Sequence, residues 1–389
     1  MAALPVPLVC PRCRVPGADG RLVVSRLVEE DGPRSACGLC PRCGTRYPRV
    51  DGVRCVPPDL PAFLEAQAAD LPPGGPSFAP EEAEALRERI TALEPGSAAF
   101  REATFPAPYA LAHFPDAAGP LGDELPGNLG TIATLASWLA RHAAPAGVAA
   151  PYLLEAGCGP GAFLHAAAPL FPAGVVGLDL RLGVLRLARR LADRGEAAVA
   201  FRVEGRRVEP LRVGVPPARR APAASIHLVQ GDLLAPPFEA ESFPAVAALS
   251  LLDTVPDPVV ALGQLDALLV PGGLLLLASP WSWEAHVTPP AAWWSGPAAT
   301  AGETLRALLA GRHPSLPHLR YELLEEADGL TWSLPGHGRL VHRFRLEAVL
   351  ARKDGARPAS LRGAGAPTRA RVIRRAPSPA RGPRRTLRG

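Results

Sequence analysis

Leu153-Leu154-Glu155-Ala156-Gly157-Cys158-Gly159-Pro160-Gly161 is the stretch that decides the fold of this 389-residue chain. An apolar run ends in an acid, three glycines follow at alternate positions, and a helix-like stretch comes next. A short continuous apolar run marks a strand buried on both faces, as in a parallel sheet. Glycines after such a strand let the backbone turn tightly and approach a ligand where a Cβ would clash. A dinucleotide site calls for G-x-G-x-x-G, its third glycine serving helix packing beside the pyrophosphate. The spacing here is instead G-x-G-x-G, with Glu155 two residues before the first glycine.

Working outward, four segments can be told apart. Residues 1–60 carry six of the seven cysteines. Residues 61–100 form a Pro/Ala-rich linker with one helix candidate at Pro80–Leu93. Residues 101–352 alternate strand-like and helix-like stretches, the rhythm of a doubly wound α/β sheet. Residues 353–389 are rich in Arg, Pro and Gly without apolar periodicity, which predicts a disordered basic tail. That tail holds Lys353, ten arginines and one acid, so it contributes +10 to a net charge of +5 and leaves the rest at −5. A basic face for nucleic acid is therefore not advertised by the body of the chain. No run reaches the roughly 18–20 apolar residues of a membrane span, and no basic region precedes the first apolar residues as in a signal peptide. Cysteines in Cys-x-x-Cys spacing suit a reducing compartment, which places the protein in the cytoplasm.

Within 101–352, strands are predicted at Pro151–Glu155, Gly174–Asp179, Ile226–Gln230, Pro244–Ser250 and Leu274–Ser279, with helices at Ala162–Leu170, Arg181–Asp193 and Pro258–Leu269. Val184, Leu187, Ala188 and Leu191 fall on one face of the second helix. A hairpin is expected between Ala197 and Ala224, and a closing antiparallel pair from Tyr321–Glu325 and Arg343–Leu350.

The 155–161 pattern resembles motif I of the class I methyltransferases, which bind S-adenosylmethionine (SAM). The resemblance extends through most of 105–352 and implies a Rossmann-like seven-stranded sheet. It makes Glu155, Gly157, Gly159 and Gly161 cofactor-binding residues. It gives Asp179, in Val175-Val176-Gly177-Leu178-Asp179, the ribose hydroxyls. It gives Asp232 of Gln230-Gly231-Asp232-Leu233 the adenine amino group and the Leu233 backbone the ring. Leu249-Ser250-Leu251-Leu252-Asp253 then lies where the methyl group would be, with Ser250 against the cofactor, and Val270-Pro271-Gly272-Gly273-Leu274 is a further hallmark. Taken singly, Asp179 is equally a helix cap, Asp232 equally turn chemistry, and Cys158 a small residue packed in the turn.

Beyond the donor site, Ser279-Pro280-Trp281-Ser282-Trp283, Thr288-Pro289 and Trp293-Trp294-Ser295-Gly296 resemble the methyltransferase module of ovothiol biosynthesis and its 4-mercaptohistidine N-methyltransferase relatives. Tyr109-Ala110-Leu111-Ala112-His113-Phe114, the 197–224 insert and Arg339–Arg345 agree with that likeness. His286-Val287 and Gly338–Val341 depart from it. The resemblance implies a small-molecule acceptor, an imidazole nitrogen of a histidine derivative. Tyr109, Trp281 and Trp283 are then candidate substrate contacts, although the tryptophans equally suit a packed lid. His113 and Asp253 are the catalytic candidates near the transferred methyl. Sulfonium methyl transfer asks mainly for in-line positioning, and for a base only where the acceptor must lose a proton.

Cys10-Pro11-Arg12-Cys13 and Cys40-Pro41-Arg42-Cys43 are two knuckles 26 residues apart. Four thiolates at this spacing suit a tetrahedral structural Zn²⁺, with Cys37, which also makes a Cys-x-x-Cys pair with Cys40, and Cys55 as spares. Residues 8 to about 58 resemble the small zinc-binding partner that activates tRNA and translation-factor methyltransferases, which implies a zinc ribbon fused to the enzyme. Two rival readings stay open: an RNA or protein methyltransferase docking through the ribbon and tail, and a non-catalytic zinc-ribbon interaction protein.

Overall fold

A computed structural model describes residues 4–16, 22–29, 38–68, 94, 97, 100, 104–115, 125, 127–143 and 152–355. The helix candidate Pro80–Leu93, the spare ligand Cys37 and the tail from 356 onward lie outside these residues. The principal strands are β1 Arg49–Val50, β2 Val53–Cys55, β3 Leu153–Ala156, β4 Val175–Asp179, β5 Glu196–Glu204, β6 Arg207–Gly214, β7 Ile226–Gln230, β8 Phe243–Leu249, β9 Leu269–Ser279, β10 Tyr321–His337 and β11 Leu340–Lys353. The helices are α1 Leu60–Ala68, α2 Pro106–His113, α3 Gly127–Ala143, α4 Ala162–Ala167, α5 Leu182–Arg194, α6 Pro258–Leu268 and α7 Ala301–Leu309.

Nine strands form one sheet in the order β10-β11-β9-β8-β3-β4-β7-β2-β1. β9, β8, β3, β4, β7 and β2 run parallel, and β11 joins β9 antiparallel. Every residue of β3 and β7 is buried, as central parallel strands require. β3 is continued by β4 on one side, while β8 lies on the other. The strand order reverses between β3 and β8, and a ligand crevice forms at the carboxyl ends of strands at such a switch point.

Most expected elements are present, with shifted ends. α5 buries Val184, Leu187, Ala188 and Leu191, and Gly195 closes it in the left-handed conformation. The 197–224 hairpin is β5–β6. β9 begins five residues before the expected start, because Leu269 pairs with Phe243 before a register shift resumes at Ala245↔Leu274. β10 and β11 are much longer than the closing pair read from sequence. Register shifts at Leu323/Glu325, Asp328/Leu330 and Pro335/His337 interrupt the alternation that marks a strand in sequence.

The two strands beyond the expected seven come from the cysteine-rich segment. β2 pairs in parallel with β7 through Val229↔Arg54 and Gln230↔Cys55, and Val56 N–H donates to Gln230 O at 2.8 Å. Val9 N–H donates to Pro237 O, Arg14 to Phe238 O, and Arg26 grips Glu239 with two bonds of 2.6 and 2.7 Å. Leu8, Tyr47 and Val56 share one apolar core with Leu178, Val229 and Phe238. The segment is thus welded to the sheet edge.

Candidate functional site

The glycine turn sits at the switch point. Gly157, Gly159 and Gly161 have φ of +71°, +53° and +90°, backbone that side chains rarely adopt. A Cβ on Gly157 would lie 2.9 Å from Leu251 in the loop after β8, and one on Gly159 would lie 3.3 Å from the His113 ring. The next strand is fitted to the turn as well: a Cβ on Gly177 would lie 2.6 Å from Cys158 Sγ. Cys158 is fully buried, and burial pushes its thiol well above the ordinary range. It is packing here, with no access for chemistry.

Two carboxyl groups frame the turn. Asp179 accepts from Gly159 N–H at 3.0 Å and from Arg181 N–H at 2.9 Å, so it ties β4 to the glycine loop while staying half-buried. Glu155 is 1% exposed, and its Oε2 has no hydrogen-bond partner. Burial raises its pKa well above the carboxylate range, and the like charge of Asp179 adds to the effect. A buried acceptor without a donor is costly. Together with a cradle that any Cβ would fill, it marks a place shaped for a ligand carrying positive charge. Asp232, after β7, accepts from Leu234 N–H at 2.8 Å in a local turn, and Leu233 is buried beside it. Ser250, just after β8 at φ +51°, donates its N–H to Ala278 O. The structure therefore collects 155–161, 179, 232–233 and 250 at one end of the sheet.

α2 lies over the turn. His113 Nδ1 accepts from Ala162 N–H at 3.2 Å, at the start of α4, and its ring meets Trp332 edge-on at 5.4 Å. Accepting through Nδ1 leaves the ring hydrogen on Nε2, and burial holds the pKa down to about 3. Sequence reading missed what fastens this roof. Asn128, fully buried, donates to Ala112 O and Ser333 O and accepts from Ser333 N–H, which joins α2, α3 and β10. Its only signal was a capping-type residue at the start of α3, because Ala112 lies 16 residues away on another helix and Ser333 lies 205 residues away. Tyr109, one turn before His113, is partly buried, and burial raises its pKa.

Asp253 is buried behind the loop after β9. It accepts from Ser282 N–H at 2.7 Å, and its backbone oxygen accepts from Thr288. Trp281 has φ +52° and donates Nε1 to Glu347 at 2.9 Å. Trp281 stacks on Trp283 at 5.9 Å, Trp283 on Trp293 at 6.3 Å, and Trp294 closes the group at 5.6 Å from Trp281. The four rings fill one another's space, forming a compact slab pinned by Asp253 and Glu347.

On the far edge of the sheet, the Sγ atoms of Cys10, Cys13, Cys40 and Cys43 all lie within 4.8 Å of one another. The Cys10–Cys43 and Cys13–Cys40 separations are 3.8 and 3.7 Å. Zn–S bonds of about 2.3 Å in a tetrahedron give edges of about 3.8 Å. Tyr47 Oη, Ser25 Oγ and Thr45 Oγ1 lie 3.2, 3.4 and 3.1 Å from Cys10, Cys40 and Cys43. Hydroxyls so placed can donate to thiolates, as an outer shell does around a structural metal. The donor set fits Zn²⁺, and all four positions would be filled by protein.

Residues 154–277, from β3 through β9, match the family model described as a methyltransferase domain. No curated protein is detectably similar to the chain. Among solved structures, magnesium protoporphyrin IX methyltransferase from Synechocystis PCC 6803 with bound SAM is 13% identical. It covers 72% of this chain and 100% of its own, with a TM-score of 0.39. Phosphoethanolamine N-methyltransferase 2 of Haemonchus contortus in complex with SAM is 20% identical over 38% of this chain and 27% of its own, with a TM-score of 0.26. Likeness at this level carries no argument about an acceptor. Among the described residues no helix is long and apolar enough to cross a membrane.

Proposed function

We propose that this SAM-dependent methyltransferase transfers its methyl group to a small-molecule nucleophile, an imidazole nitrogen of a histidine derivative. The observation that carries the reading is the roof. α2 lies across the glycine turn, bonded through His113 to Ala162 just after it and fastened by Asn128, and this roof narrows the approach to the donor site. A confined site admits a small acceptor more readily than a folded macromolecule.

The donor fits the residues present. Glu155, Gly157, Gly159, Gly161, Asp179, Asp232, Leu233 and Ser250 would hold it, with the unpartnered Glu155 carboxyl facing its positive charge and Asp179 its ribose hydroxyls. When bound, SAM supplies an electrophilic methyl on a sulfonium. The chain's own work is to bind, orient and exclude water. Glu155 and Asp179 set the donor's position, and the turn lets the backbone come close.

His113 acts in this reading as a positioning residue. With Nδ1 committed to Ala162 N–H, its Nε2–H can donate but cannot accept a proton. Asp253 likewise sets the tryptophan loop. An imidazole nitrogen needs no base to attack; its proton leaves after transfer. We assign Zn²⁺ to Cys10, Cys13, Cys40 and Cys43, as a structural ion.

Transfer from labelled SAM to histidine, a histidine thiol, histamine, RNA and cell-lysate protein tests the reading. Label in an imidazole supports it. Label confined to RNA or protein overturns it in favour of a macromolecular acceptor.

A further inference from the structure

A cavity of about 510 Å³ lies beside the donor site, where three elements added to the central sheet meet: α2, the β5–β6 hairpin and the β10–β11 arm. The two hairpins are in close contact. Gly338 N–H donates to Arg202 O at 3.1 Å, and a Cβ on Gly338 would lie 2.9 Å from Val203 O. Phe105, Tyr109 and Leu334 give the cavity an apolar and aromatic wall. Its charged lining is Arg181 and Arg202, with His342 as the further titratable group beside Tyr109. Among the described residues no Asp or Glu lines it.

The arginines differ in setting. The Arg181 guanidinium lies 3.8 Å over the Phe105 ring, and its backbone N–H is held by Asp179. Arg202, half-buried on β5, makes no ion pair with any described acid. A cation on a cavity wall without a carboxylate partner favours an anionic occupant, because the ligand's charge then has no competitor. A planar guanidinium over an aromatic ring extends a surface on which a flat ligand can stack. Tyr109 and Arg181 connect this cavity to the donor site. Tyr109 shares a helix with His113 one turn away, and Arg181 follows Asp179 by two residues.

We propose that this cavity is the acceptor's anion subsite: it takes a small aromatic or heteroaromatic carboxylate, with the carboxylate on Arg202 and the ring against Phe105 and Tyr109. This rests on the small-molecule reading above and adds to it a charge requirement that the donor motifs do not contain.

Calorimetry on the full chain, saturated with SAM, with phenylacetate and benzyl alcohol as probes isolates the charge. Neither probe has an imidazole, so binding is read without chemistry. Phenylacetate should bind at least tenfold tighter, and the advantage should shrink with added salt. Arg202→Gln should abolish the advantage, leave benzyl alcohol binding unchanged and leave SAM affinity intact, while Arg202→Lys should retain part of it. Equal binding of the two probes, or a preference that survives Arg202→Gln, overturns the subsite. If Arg202→Gln fails to fold, the salt titration and Arg202→Lys decide the matter. Methyl transfer to imidazole-4-acetate and 4-methylimidazole separates the two readings. A carboxylate preference in binding with neither imidazole methylated removes the acceptor reading and keeps the subsite. Methylation of both imidazoles without preference, and no selectivity for phenylacetate, does the reverse.

Discussion

Glu155→Gln should move stability and donor binding in opposite directions. The wild-type carboxyl is 1% exposed with an unpartnered Oε2, and burial and the Asp179 charge raise its pKa well above the ordinary range. An unfolded glutamate titrates near pH ~4.3. Between that value and its raised folded value, the folded state binds more protons than the unfolded state. Wild-type stability therefore falls as pH rises through this window. Glutamine keeps the shape and has no charge to bury. The variant should match wild type near pH 4 and exceed it at pH 8, in the absence of SAM. The expected gain is about 1–3 kcal/mol, the scale of a buried polar group left unsatisfied. Each kcal/mol corresponds to about 2–4 °C in Tm for a domain of 150–250 residues. Bonds to charged groups contribute about 1.5–3 kcal/mol, so SAM should bind Glu155→Gln roughly 10–100-fold more weakly. Thermal melts from pH 4 to 8.5 and calorimetry with SAM read both effects. A variant less stable at pH 8, or one that binds SAM as well as wild type, would refute the assignment of Glu155 as the donor's counter-charge.

Asp179→Ala should weaken SAM binding by about 1–3 kcal/mol in calorimetry, the scale of lost buried hydrogen bonds; unchanged affinity would remove Asp179 from the donor site. Gly177→Ala places a Cβ 2.6 Å from Cys158 Sγ. Overpacking of this kind costs about 1–3 kcal/mol, and Gly177→Ala with Cys158→Ala should recover most of it in denaturant melts. A neutral single variant would mean the contact is not tight. Cys40→Ser should release the Zn²⁺ proposed for the four cysteines and also weaken SAM binding, because Val56 bonds to Gln230 on the strand that leads into Asp232. Full metal content by elemental analysis would refute the ligand set.

How much was legible depended on the range of the interactions. The glycine turn, the strands around it and α5 are local patterns, and they appear within one or two residues of where the spacing puts them. Leu269 was missed as a strand start because its partner, Phe243, pairs before a register shift. The β10–β11 arm was underestimated for the same kind of reason: its bulges change which residues share a face. Asn128, Arg181, Arg202 and His342 carry no motif, and only the meeting of distant segments brings them to the site.

By itself the sequence determined one end of the sheet, the one proposed to hold the donor: an apolar strand, three glycines at alternate positions, and acids at 155, 179 and 232. Each of these is set by backbone conformation or by strand ends, and both are written locally. Only the tertiary structure decided the surroundings. It welded the cysteine-rich segment to the sheet through β2, where sequence suggested an appended unit. It left Glu155 buried without a partner and committed His113 Nδ1 to the backbone of α4. It closed two hairpins against α2 to form a cavity. Burial, orphaned polar groups and cavity volume are properties of packed neighbours, and those neighbours lie as much as 224 residues apart along the chain.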